Sequence, residues 1–238
     1  MIKMMILAPR RAGMTHPEFR RYVTEVHGPL VKSVTEVAAD IRHYHYNFPI
    51  PGAADTAFGH PLASNLDIVT EAWFDSVEAQ KANMRIPRYL EIVRPDEHRF
   101  ADGERAVMHY TQEVSVVEGA RTAVRVFYFR RRRPGLPRVE FQRLWLDGMR
   151  AVFEGGCRLP AGVTAYVQNH TVSEADHPSG DDPKYFDVVD EFFLTGLDQL
   201  RLLGAEETFR GAIRQLEGEL MDTSACRAFV GETVLNIP

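Results

Sequence analysis

The spacing of apolar positions changes along the chain in a fixed order. Ile2 to Ala8 form a short apolar run of strand length. A turn with Gly13 follows, and then Phe19, Val23, Val26, Leu30, Val34 and Val37 fall within one helical face. The segment Thr15-His16-Pro17-Glu18 supplies the start of that helix: Thr15 can cap the free amides and Glu18 can reach back. A second strand is predicted over 41–48, a long loop rich in Gly, Pro, Ala, Asp and Ser over 49–65, and a third strand over 66–74. A second helical region over 76–94 and a last strand over 107–117 complete the unit. The same order then recurs as strands 123–130, 163–170, 185–194 and 228–236, with a loop at 171–184 and a helical region at 196–220.

The recurrence extends to individual residues. Sliding the chain by 122 positions places Ile2–Leu7 on Val124–Phe129, Gly13 on Gly135, Glu18 on Glu140, Phe19 on Phe141, Tyr44 on Tyr166 and Asn47 on Asn169. A slip of two residues then sets Asp67, Val69 and Glu71 on Asp187, Val189 and Glu191. The chain therefore reads as a tandem repeat, 1–118 and 122–238. Each copy has the β-α-β-β-α-β order of a ferredoxin-like unit. In such a unit both helices cover one sheet face, and two units can bury the other faces against each other. The expected fold class is α+β, two fused ferredoxin-like units forming a pseudo-dimeric α+β barrel.

Composition narrows the function classes. The 238 residues are 45% hydrophobic and 26% charged, as in a globular protein. A net charge of −5 argues against nucleic acid or an anionic membrane as the partner. Cys157 and Cys226 are too few and too far apart for a disulfide framework, so a reducing, cytoplasmic location is expected. The first residues lack the order of a signal peptide, and no stretch approaches the ~18 apolar residues of a membrane span. No Gly-rich phosphate loop follows a predicted strand, and Gly-x-Ser-x-Gly is absent. The arginine runs at 10–11 and 130–133 read as solvated turns.

Arg11-Ala12-Gly13-Met14-Thr15, then Phe19-x-x-Tyr22-x-x-x-x-His27-Gly28-Pro29-Leu30, resembles the EthD-like family of dimeric α+β barrels. Tyr44-x-x-Asn47 and Asp67-x-x-x-Glu71-x-Trp73-Phe74-Asp75 fit the same pattern. The resemblance implies the barrel fold and a histidine at position 27 beside its cavity. Relatives in that superfamily include cofactor-free isomerases, cyclases, dehydratases, small monooxygenases and some haem enzymes, so the fold alone does not select a reaction.

Comparing the halves selects residues. His27, His43 and His45 are matched in the second copy by Met149, Ala165 and Val167, whereas Phe19, Tyr44 and Asn47 persist. This pattern predicts one working site, built mainly by the first copy, with His27, His43 and His45 as the acid–base candidates. Tyr22, Tyr46, Asn47, Trp73 and, from the long loop, His60 are candidate substrate-binding residues. Strand alternation puts His43, His45 and Asn47 on one face and Tyr44, Tyr46 and Phe48 on the other, and leaves open which face lines the cavity. Glu71 and Glu191, present in both copies, read as structural partners of Lys3 and Arg125. His43-x-His45 also has metal-pair spacing, but the reading takes no metal and no cofactor.

The expected function is a cofactor-free lyase or isomerase acting on an aromatic, polyketide-like or lactone carbonyl compound by histidine acid–base chemistry. A cofactor-independent or haem-assisted monooxygenase and a non-catalytic binding barrel are the alternatives. The expected partner is a small-molecule substrate, with a pseudo-dimer inside the chain and a further homodimer left open.

Overall fold

A computed structural model describes residues 1–53, 56–57, 60–172, 185–201 and 207–237. In chain order the first elements are β1 (Ile2–Ala8), α1 (His16–Tyr22), a π-helical turn (Val23–His27), α2 (Gly28–Ser33), α3 (Thr35–Ala38) and β2 (His43–Pro49). Next come β3 (Thr56–Ala57), β4 (His60–Pro61), β5 (Ile68–Phe74), α4 (Val77–Asn83), a second π-helical turn (Tyr89–Val93), α5 (Arg94–Phe100) and β6 (Val107–Val117). The remainder is β7 (Val124–Arg130), α6 (Arg138–Glu154), β8 (Val163–Thr171), β9 (Val188–Leu194), α7 (Glu207–Leu220) and β10 (Arg227–Ile237).

The chain divides into two compact units. One comprises Met1–Pro49, Ser64–Gln112 and Thr233–Pro238; the other comprises Ile50–Ala63 and Glu113–Glu232. Each has an antiparallel four-stranded sheet of ferredoxin-like order, β6-β1-β5-β2 in the first and β10-β7-β9-β8 in the second. The registers match: Met4 faces Ala72 as Val126 faces Phe192, and Tyr44 faces Ala72 as Tyr166 faces Phe192. The α+β class expected from the periodicity is the observed one. The units depart from the sequence repeats chiefly at 50–63. That segment follows β2 in the chain but bonds to β10, through Ile50 N–H to Val230 O (3.2 Å) and Ala63 N–H to Ala228 O (2.8 Å).

The start of α1 is the predicted one. The Thr15 hydroxyl accepts from Glu18 N–H, and the Glu18 carboxylate accepts from Thr15 N–H at 2.8 Å. Such a cap contributes about 1 kcal/mol. The buried stripe differs from the predicted one. Phe19, Val23, His27 and Val31 are buried, whereas Val26 is 45% exposed and Leu30 half-buried. The π-helical turn is the cause: its i→i+5 bonds rotate each residue less than an α-helix does, so residues four apart stay in line. The π turn thus carries His27 inward, where an α-helix would leave it at the edge of the stripe.

The arginine turns are solvated only in part, with Arg11 and Arg133 exposed as expected. Arg130 is buried, Arg10 bonds Asp67, and Arg132 bonds Asp187. The loop expected over 171–184 lies, from residue 173 on, outside the described residues. No helix among the described residues is long and apolar enough to cross a membrane.

Candidate active site

The helices and sheet of the first unit enclose a cavity of about 320 Å³. Its sheet wall is Met4 and Ile6 of β1, Tyr44 and Tyr46 of β2, and Thr70 and Ala72 of β5. His27 and Tyr89 enter from the helical side, and each belongs to one of the two π-helical turns. Such turns recur where a helix must redirect a functional side chain.

His27 is 3% exposed, and its Nδ1 lies 3.0 Å from Asp96 Oδ2. A carboxylate has no proton to offer, so Nδ1 carries the proton and donates it to Asp96. That leaves the lone pair on Nε2, the nitrogen a base would use. Asp96 is held in turn by the Tyr22 hydroxyl, which donates to Oδ1 at 2.6 Å. Burial pushes the His27 pKa below its ordinary value, against the opposing pull of Asp96 and Glu97. The imidazole is therefore neutral at neutral pH and able to accept a proton.

Across the cavity, the Tyr44 and Tyr46 rings lie 4.9 Å apart, close enough for each hydroxyl to act on the other's acidity. Burial raises both phenol pKa values, so both stay protonated donors. Even if the two hydroxyls bond each other, one of their two protons is left for a ligand. The third polar group is at the mouth, where Tyr89 donates to Glu97 Oε1 at 2.9 Å and Arg94 to Glu97 Oε2 at 2.8 Å.

The sheet separates the three histidines. His27 shares the cavity face with Tyr44 and Tyr46, while His43 and His45 project from the opposite face of β2. On that face His45 packs 4.8 Å from the Trp73 ring, which also receives Lys3 Nζ at 4.7 Å. Lys3 Nζ bonds Glu71 Oε1 at 2.8 Å, and Asn47 Nδ2 donates to Glu71 Oε2 at 3.0 Å. The structure therefore corrects the expectation of one shared histidine site. His43, His45, Asn47 and Trp73 are grouped with one another and not with His27, because strand alternation makes the faces exclusive. Glu71 and Glu191 each hold the first-strand cation of their own unit, the structural role expected of them.

Two other candidates move. Tyr22 holds Asp96 rather than lining the cavity. His60 belongs to the second unit, where its Nε2 is 3.0 Å from both Glu217 Oε1 and Arg130 Nη1. Of the candidate binding residues, only Tyr46 lines this cavity. Sequence alone left Tyr44 open as a liner on one of the two β2 faces and missed Asp96, Tyr89 and Glu97 as site residues. Asp96 carried a usable signal. The bridges Arg10–Ala101 and Arg132–Met221 align α5 with α7, and Leu216 then stands where Asp96 does. Asp96 is thus lost from the second half together with His27.

This arrangement defines a class: α+β proteins of paired ferredoxin-like units with an apolar cavity between sheet and helices. The chain belongs to the EthD family. The EthD domain model matches residues 11–104. A conidial pigment biosynthesis dehydratase, EthD, of Metarhizium robertsii (strain ARSEF 23 / ATCC MYA-3075) is 30% identical over 107 residues, covering 43% of this chain and 75% of the relative. The fold is also similar to that of an anthrone oxidase-like protein, with a TM-score of 0.64 at 9% identity over 98% of this chain and 91% of that one.

Proposed function

We propose that the first unit is a cofactor-free lyase or isomerase that removes a proton from carbon next to the carbonyl of a small aromatic compound. The observation that carries this reading is the buried His27–Asp96 pair facing the Tyr44–Tyr46 hydroxyls across one apolar cavity. Membership in the EthD family supports a small-molecule enzyme, and the Metarhizium dehydratase is a precedent for loss of water. For a β-hydroxy ketone, Nε2 of His27 takes the α-proton, and the electron pair moves onto the carbonyl oxygen, held by a tyrosine hydroxyl. Its return forms the carbon–carbon double bond and expels hydroxide. The imidazolium proton completes water, leaving His27 neutral again. Asp96 keeps Nδ1 protonated throughout and stabilises the imidazolium. His43 and His45 have no part in these steps.

A porphyrin does not suit this cavity. A volume near 320 Å³ is at the low end for ligand pockets. The cation at its mouth is already paired with Glu97.

The test is solvent deuterium exchange into 1-tetralone, a bicyclic ketone with one exchangeable methylene beside its carbonyl. The folded wild-type protein should catalyse exchange. His27→Gln should slow it by about 10²–10⁴-fold, the usual contribution of a positioned acid–base group. His43→Ala and His45→Ala should exchange at the wild-type rate. Exchange that survives His27→Gln removes the proposal.

A further inference from the structure

The charges around the cavity are unbalanced. Among its lining residues the one guanidinium, Arg94, is taken up by the carboxylate of Glu97. No lysine is among the lining residues, and the two histidines there are His27, neutral at neutral pH, and His98 beside Glu97. Behind His27 stands a second carboxylate, Asp96, whose nearest arginine, Arg99, is 3.7 Å away and 69% exposed. Arg94 is also the more exposed member of its pair, at 48% against 27% for Glu97. Water screens the outer cation more than the inner anion. The remaining field is negative. It acts on His27, Tyr44, Tyr46 and Tyr89 alike, since Glu97 favours the positive form of the first and disfavours the negative forms of the other three.

We infer that Glu97 makes this cavity selective for uncharged aromatic carbonyl compounds and against carboxylates of the same shape. The inference rests on the reading that the cavity is the substrate site. The tyrosine hydroxyls donate equally well to a ketone oxygen or a carboxylate, so they do not discriminate. Desolvation disfavours any anion in an apolar cavity. The part due to Glu97 is the part that changes when only its charge is removed.

The probes are 2-acetylnaphthalene and 2-naphthoate, which have nearly the same shape and differ by one charge. Their Kd values are measured by equilibrium dialysis at neutral pH. The wild-type protein should bind the ketone more tightly. Glu97→Gln, whose amide oxygen can still accept from Arg94 while its NH2 donates to the Tyr89 oxygen, should narrow the ratio by at least about tenfold, the lower end of the effect of one charge within ~6 Å. Arg94→Gln removes the compensating cation from an exposed position and should widen the ratio. That second variant keeps the inference testable if Glu97→Gln does not fold. Equal binding of the two probes by wild type, an Arg94→Gln ratio that fails to widen, a ratio unmoved by Glu97→Gln, or no saturable binding of the ketone would each overturn it. Selective binding without deuterium exchange would instead leave the charge filter standing and remove the proposed reaction.

Discussion

The two units share an order of elements and a strand register, yet their interiors are built to opposite ends. In the first, the sheet–helix space is lined by Val23, Val31, Ala72 and Ala8 and remains open. At the equivalent positions the second has Trp145, Phe153, Phe192 and Arg130. Those larger side chains pack on one another. Tyr166 stacks on Phe192 at 4.3 Å, and Phe153 and Phe209 close around them. Where the first unit has Thr70, the second has Asp190, which accepts from Trp145, Tyr166 and Arg130. Arg130 also pairs with Glu217, the counterpart of Glu97. One scaffold thus leaves this space open as a cavity in one unit and fills it with a packed polar–aromatic core in the other. The π-helical turns follow the same division: the first unit has two, and the corresponding α6 and α7 of the second are regular.

The most damaging way to break the comparison is to remove the charge that fills the second unit. Arg130→Met leaves Asp190 and Glu217 buried without their cation, which should cost about 3–5 kcal/mol. Urea unfolding should show that loss. Below the transition the deuterium exchange assigned to His27 should persist. A neutral outcome would mean that the network contributes nothing to the fold.

A smaller effect is expected from copying the first unit into the second. Met149→His places an imidazole opposite Leu216, where the first unit has Asp96. Met149 is fully buried, so the ring nitrogens lack a carboxylate partner. The expected cost is about 1–3 kcal/mol, that of a buried polar group left unsatisfied. In a protein that also carries His27→Gln, no exchange should return. Recovery of exchange would show that the histidine alone makes the site, without its carboxylate or its open space.

These contrasts were only partly legible in the chain. The order of strands and helices was readable because each element has its own apolar period, and the loss of His27 was visible because the repeat supplied an internal reference. The inward face of β2 was not readable. In the adjacent β5 every residue from Ile68 to Phe74 is buried, so neither face carries a solvent signal. The two faces of β2 carry His43 and His45 or Tyr44 and Tyr46, and both sets are plausible liners. The π-helical turns leave no periodic signature of their own, so Val26 was assigned to the core that His27 occupies. The partner of His60, Glu217, is 157 residues away, and that of His27 is 69 residues away. Pairings over such distances are set by the fold, and only the concerted change of His27 and Asp96 to Met149 and Leu216 left a trace of one of them.

The smallest effect, and the sharpest discriminator between the units, is in pH. Burial holds the His27 pKa below its ordinary 6.5, while Asp96 and Glu97 pull it up. The acid limb of exchange should therefore lie below pH 6.5, because the base works only when neutral. Asp96→Asn removes one of the upward pulls and should move the limb to still lower pH while lowering the plateau rate. Stability follows the same sign. Between the folded pKa and 6.5 the unfolded chain binds a proton that the native His27 refuses, so the fold gains stability as pH rises through that window. Above 6.5 the two states bind equally and the gain is complete. The slope from this one residue cannot exceed ~1.4 kcal/mol per pH unit. It is read as the difference between the wild-type and His27→Met stability curves, since methionine, the residue at the matching position 149, has no proton to exchange. A difference curve that is flat across pH 5–7, or one that falls as pH rises, would place the His27 pKa at or above its ordinary value. The native imidazole would then be charged at mildly acidic pH, and its assignment as a neutral base in a desolvated cavity would fail in the unit where it was made.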